Sequence, residues 1–202
     1  MKTCVVALAV VATVCASAAA AEPAVVFEDT FDGKLARGWT WIKESKDAWR
    51  IKDGGLEFRV LPGKENILAV EVPRQGAYAV EVTLTSVPQP TRQYEQGGFG
   101  WYHEDKQSFK YVKELIDGKT YVFPGKKEMP AATIQLRLEV RGGKFTAHFR
   151  PDAKGEPRPA FSGTLPAGGK GRHRVSLMCY NGPKDADHWM RFDNFRIVKL
   201  AE

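Results

Sequence analysis

The 202-residue chain carries 30 basic and 24 acidic side chains, a formal charge of +6, but its basic residues are dispersed among acids rather than gathered into a patch, which excludes nucleic acid as a partner. Lys2, the apolar run Val5 to Ala16 and the small residues Ala18 to Ala21 have the layout of a secretory signal over residues 1–21, too short for a membrane span and with Val14 disfavouring lipid attachment at Cys15. Its removal leaves residues 22–202 as one domain of charge +5 with a single thiol, Cys179, so an internal disulfide is excluded, no membrane segment remains, and the protein is expected to be secreted or periplasmic.

The first mature stretch, Val25-Val26-Phe27-Glu28-Asp29-Thr30-Phe31-Asp32-Gly33, is a strand start that runs into carboxylates. Trp39, Trp41 and Trp49 follow among charged residues, and Asp53-Gly54-Gly55 between two alternating runs signals a hairpin. Strand character resumes at Ile67 to Val70. From Ala77 to Thr85 the residues Tyr78, Val80, Val82 and Leu84 face one way and Ala79, Glu81 and Thr83 the other, which describes a half-buried strand. Pro88 and Pro90 place a loop over Ser86 to Arg92.

Gly97 to Tyr102 and Gln107 to Leu115 read as paired strands about His103-Glu104-Asp105-Lys106, with a short strand at Tyr121-Val122-Phe123. Ile134, Leu136, Leu138 and Val140 alternate with Gln135, Arg137, Glu139 and Arg141; after Gly142-Gly143, Phe145, Ala147 and Phe149 alternate with Thr146, His148 and Arg150. This pair is the strongest hairpin in the chain. Pro151 to Gly171 is a long surface connection with one short edge strand around Ala160-Phe161, and Val175, Leu177 and Cys179 alternate with Ser176, Met178 and Tyr180. Cys179 is expected to be a small buried hydrophobe.

In the last stretch, Trp189 to Val198, Met190 and Phe192 occupy even positions but Phe195 and Ile197 odd ones, so the two-residue period slips at Asp193-Asn194. A bulge there re-aims an acidic side chain, making it a candidate for a structural cation or a buried hydrogen-bond hub, with the carboxylates of the opening stretch as complements. The two ends of the mature chain are expected to lie side by side. No stretch has a sustained helical period, and ten or more short strands imply an all-β antiparallel sandwich or jelly roll.

The polar phases of the long strands hold Glu81, Thr83, Tyr102, Arg137, Glu139, His148 and Arg150. If those strands are neighbours, these residues converge on one open sheet face. Such a surface suits a carbohydrate or polysaccharide, which needs planar polar groups for hydroxyls and an aromatic platform for C–H faces. Trp101, Tyr102 and Tyr111 are the candidate platforms, although Trp101 shares its phase with Phe99. An enzyme could instead use Glu81 with Glu139 as a glycoside-hydrolysing pair, or His148 or Tyr102 as a lyase base with Arg137 neutralising a uronate. His103, His173 and His188 lack metal-ligand spacing and are expected as exposed single histidines.

Phe27-Glu28-Asp29-Thr30-Phe31 with Trp39, then Trp49-x-x-x-Asp53-Gly54-Gly55-Leu56, then Gln96 to Tyr102 with Phe109 to Glu114, and finally Arg191-Phe192-Asp193-Asn194-Phe195, together resemble the concanavalin-A-like, laminin-G-like jelly-roll group. The likeness is to the accessory sandwich attached to some β-xylosidases and its relatives of unknown function. It implies a two-sheet jelly roll and a glycan-binding or accessory role without catalysis. It further implies, as in some relatives, a structural calcium at Glu28, Asp29 and Asp193. Phe31-Asp32-Gly33-Lys34 with Gly38-Trp39 is also similar to the opening of secreted 3-keto-disaccharide hydrolase domains, although the Glu-x-Asp-x-x-Glu spacing of jelly-roll glucanases is absent. The alternatives are therefore a glycoside hydrolase or polysaccharide lyase on the open face, or a structural or interaction domain of the cell envelope.

Overall fold

Period-two burial gives strands because a pleated backbone turns successive side chains to opposite faces. The computed structural model describes residues 23–151, 155–166 and 171–201, so residues 1–21, read as a secretory signal, lie outside the described residues. In chain order the strands are β1 (Val25–Asp29), β2 (Thr40–Lys43), β3 (Trp49–Lys52), β4 (Gly55–Arg59) and β5 (Glu65–Glu71). Then come β6 (Tyr78–Val87), β7 (Gln96–His103), β8 (Lys106–Ile116), β9 (Lys119–Phe123) and β10 (Lys127–Glu128). β11 (Thr133–Arg141), β12 (Lys144–Arg150), β13 (Arg158–Thr164), β14 (His173–Tyr180) and β15 (Trp189–Lys199) complete the set. Among the described residues the sole helical element is a 3-10 turn at Lys46–Ala48.

The strands form two antiparallel sheets. One runs β13-β12-β11-β6-β15-β4-β3, with β1 also on β15; the other runs β10-β9-β8-β7-β14-β5-β2. Tyr78, Val80, Val82 and Leu84 of β6, Ile134 to Val140 at even positions of β11, and Phe99, Trp101 and Tyr111 of the second sheet fill the space between them. The two-layer jelly-roll sandwich expected from the alternation is the fold observed. Residues 158–164 form the edge strand expected within the long connection, and Cys179 is buried.

The slip in the last strand is a bulge. Opposite β6, Asp193 faces Thr83 and Arg196 faces Glu81, so β15 holds one more residue than its partner across this step, and Asn194 takes φ 50°. Asn is among the few residues that adopt this left-handed conformation readily. Before the bulge β15 pairs with β4; after it, Phe195 to Val198 pair with β1, which sets the first and last strands of the sandwich side by side. Phe31 and Phe192 belong to one core cluster.

The histidines depart from expectation. His188 is buried, with Nδ1 2.7 Å from Glu95 Oε1. His103 and His173 face each other across β7 and β14 with ring centroids 4.8 Å apart, and Trp101 Nε1 donates to His173 Nδ1 at 3.3 Å. The register of β7 on β14 makes the His103–His173 encounter, and spacing along the chain carries no record of register.

Candidate functional site

The outer face of the first sheet collects the polar phases of β6, β11, β12 and β15. Strand register sets Glu28, Arg196, Glu81, Arg137, His148 and Pro159 in one row across six strands. Charges of opposite sign directly across a ladder attract, and here they alternate. Glu81 is the centre of the row: it is 1% exposed, with Oε1 accepting from Arg137 Nη1 and Oε2 from Arg196 Nε. Arg137 also donates through Nε to Glu139 Oε1 at 2.8 Å. The guanidinium is thus fixed in its plane by carboxylates on two sides.

Next to this lattice Arg137, Glu139 and His148 line a depression of about 350 Å³, closed on its far side by Pro157 and Pro159. His148 Nδ1 is buried and has no hydrogen-bond partner among the described residues. From beneath, the ladder between β12 and β13 slips between Ala147 and His148, and the Tyr111 hydroxyl of the second sheet donates to the His148 carbonyl at 2.6 Å. Burial pushes the Tyr111 phenol well above its ordinary pKa, so it remains a donor. The site therefore has a pinned floor and a backbone tethered through the core.

Of the residues singled out in the sequence, Glu81, Arg137, Glu139 and His148 are brought together, with Thr83 on the same face and Arg150 beside Gln135 on the next polar row. The three aromatic platforms are not with them. Trp101 and Tyr111 point inward, and Tyr102 lies on the outer face of the second sheet in a small cluster with Ile67, Val112 and Met178. Phase along β7 and β8 decides this: residues that share the parity of Phe99 enter the core. Arg196, Pro157 and Pro159 were missed. Arg196 was on the polar phase of the final stretch, but only the bulge register sets it opposite Glu81.

At the positions that the resemblance gives for a calcium, Asp29 and Asp193 have hydrogen-bond partners within the protein. Asp29 is buried and accepts from Phe31 N and Ala36 N at 2.8 Å and from Trp39 Nε1 at 2.7 Å, whereas Glu28 is exposed opposite Arg196. Asp193 accepts from its neighbour Asn194 N and lies near Arg191. Among the described residues no group of three or more His, Cys, Asp or Glu is placed to hold a metal, and no helix is long and apolar enough to cross a membrane.

No family model and no curated protein matches this sequence. Solved structures do match in fold. The GH43 BlXynB protein of Bacillus licheniformis superposes with a TM-score of 0.70 at 18% identity, over 86% of this chain and 39% of that one. The Bacteroides ovatus xyloglucan PUL GH43B gives 0.70 at 17% identity, over 92% of this chain and 41% of the other. Xylan beta-1,4-xylosidase from Bacillus halodurans C-125 gives 0.60 at 16% identity, over 85% and 39%. The chain thus spans about two-fifths of the length of these proteins and shares with them the β-sandwich fold.

Proposed function

We propose that the protein is a secreted, non-catalytic module that engages carbohydrate through the outer face of its first sheet, either on a polysaccharide or beside a glycan-degrading enzyme. The observation that carries this reading is the depression beside the Glu81 lattice, where Arg137, Glu139 and His148 offer planar donors and acceptors at fixed positions and two proline rings offer C–H surface. Ordering costs are small for groups already immobilised, and that favours binding. Glu81 supports binding over acid–base chemistry, since a carboxylate shielded from solvent and engaged at both oxygens by guanidiniums has no free lone pair directed at a substrate. The sandwich shared with xylosidase chains is in keeping with a carbohydrate context.

The test is a glycan microarray followed by calorimetry and a reducing-sugar assay. Binding that weakens at least about tenfold in Arg137→Ala and His148→Ala, without product release, is the expected result. Product formation that disappears in Glu139→Gln would replace this reading by a hydrolase or lyase. Absence of any sugar binding would favour an envelope interaction domain.

A further inference from the structure

The outer face of the second sheet, on the opposite side of the sandwich, bears a depression of about 840 Å³. Strand lengths create it. β2 has four residues and β5 seven, and β2 covers β5 only from Ile67 to Ala69, so among the described residues Val70 and Glu71 lack a strand partner on that edge. The chain enters β2 through Gly38, whose φ of 124° favours glycine and where a side-chain carbon would stand 3.2 Å from the Phe27 ring.

Thr40, Glu71, Arg74, Glu104, Asp105 and Arg174 form the walls, with Arg172 beside them. Arg174 Nη2 donates to the Glu104 carbonyl at 2.5 Å and to Asp105 Oδ1 at 2.7 Å, and Arg172 Nη1 donates to Glu71 Oε1 at 3.0 Å. Arg74 and the Glu104 carboxylate have no ion pair among the described residues. Three guanidiniums therefore face three carboxylates. Among the described residues such a wall is dense in donors and acceptors and carries no net charge, so it exerts little long-range pull on an ion of either sign. A polyhydroxylated neutral ligand matches it, since each hydroxyl can donate to a carboxylate and accept from a guanidinium.

We infer that this trough is a second saccharide site, selective for neutral sugars, and that the protein is bivalent, contacting glycan on both outer faces. The bivalency rests on the reading of the first face given above; the second site rests on its own lining. Two sites facing away from each other cannot serve adjacent units of one short oligosaccharide, but they can join two polysaccharide chains, with avidity that a single face lacks.

The experiment applies a microarray of neutral and uronate-containing oligosaccharides to the mature chain, then titrates the neutral tetrasaccharide giving the strongest signal. Two sites per protein are expected. Arg74→Ala, which removes a side chain without an ion pair among the described residues, weakens one site at least about tenfold and spares the other; Arg137→Ala does the reverse. Raising salt from about 50 to about 500 mM leaves both affinities within about twofold. A single site lost in Arg137→Ala and indifferent to Arg74→Ala overturns the second site and keeps the first. A single site lost only in Arg74→Ala does the opposite, and no binding at all overturns both. Binding confined to uronate glycans, or falling steeply with salt, overturns the assignment to neutral sugars.

Discussion

Replacing Asp29 by Asn removes one carboxylate oxygen from a position where both are used. Oδ1 accepts from Phe31 N, and Oδ2 accepts from Ala36 N and Trp39 Nε1. An amide has a single acceptor oxygen, so in either orientation its NH₂ faces at least one of these N–H donors. A hydrogen bond to a charged group contributes about 1.5–3 kcal/mol, and the stranded donor adds to its loss, giving about 3 kcal/mol in all. The bond to Phe31 N also holds that residue at φ 57°, an unfavourable region for an aromatic residue, and so delivers its ring to the core. Urea unfolding followed by tryptophan fluorescence reads the effect directly, since Trp39 lies at the hub. With a slope of about 2 kcal/mol/M, the midpoint falls by about 1.5 M and the slope is unchanged. A shift below about 0.3 M would refute the accounting. So would a shift seen only when calcium is present and abolished by EDTA, because Asp29 would then act as a cation ligand rather than as the hub of the opening loop.

Two further outcomes follow from buried polar groups. Tyr111→Phe deletes the donor to the His148 carbonyl, costs about 1 kcal/mol by chemical denaturation, and weakens sugar binding at the first face through loss of the tether. Lys113 is fully buried, with Nζ donating to Gln89 Oε1 at 2.8 Å, Ala131 O at 2.5 Å and Ala132 O at 3.3 Å, and burial lowers its pKa to about 8. The unfolded chain then holds the proton up to the ordinary 10.5, so stability rises with pH between about 8 and 10.5 and is level below about 8, where both states hold the proton. Relative to Lys113→Met, the wild-type unfolding free energy climbs by about 3 kcal/mol across that window; a flat difference refutes the assignment.

Most of the fold was legible in the sequence because burial in a sandwich writes period two into every strand longer than a few residues. β11 and β12 announced their extents and β6, β11 and β12 their polar phases, although β6 runs to Val87, past the loop start expected at Ser86; Glu81, Arg137, Glu139 and His148 could therefore be put on one face on the condition that these strands are neighbours. Pairing across sequence distance was not legible. Tyr102 shares the polar character of that set yet belongs to the other sheet, and no local pattern says to which sheet a half-buried strand is added. The encounter of His103 with His173 and the Tyr111 bond to a backbone carbonyl depend on register and on a ladder slip. The 840 Å³ trough depends on one strand being shorter than its neighbour, a difference too small for the pattern of residues to express.

The bulge in β15 links the core to the candidate site. In an unbroken ladder Asp193 opposite Thr83 would put Phe195 opposite Glu81, on the outer face, and Arg196 would turn inward. Glu81 would then be a buried carboxylate with one guanidinium partner and an apolar ring beside it, an arrangement that penalises the charged form. The extra residue reverses both outcomes. Phe195 joins Phe27, Trp39 and Phe99 in the core, and Arg196 reaches Glu81, completing the row that immobilises Arg137. The same residue that lets the end of the chain pair with its beginning thus sets the charge pattern under the depression. The local loss of ladder bonds at Asn194 is offset by two gains that no regular strand could provide together.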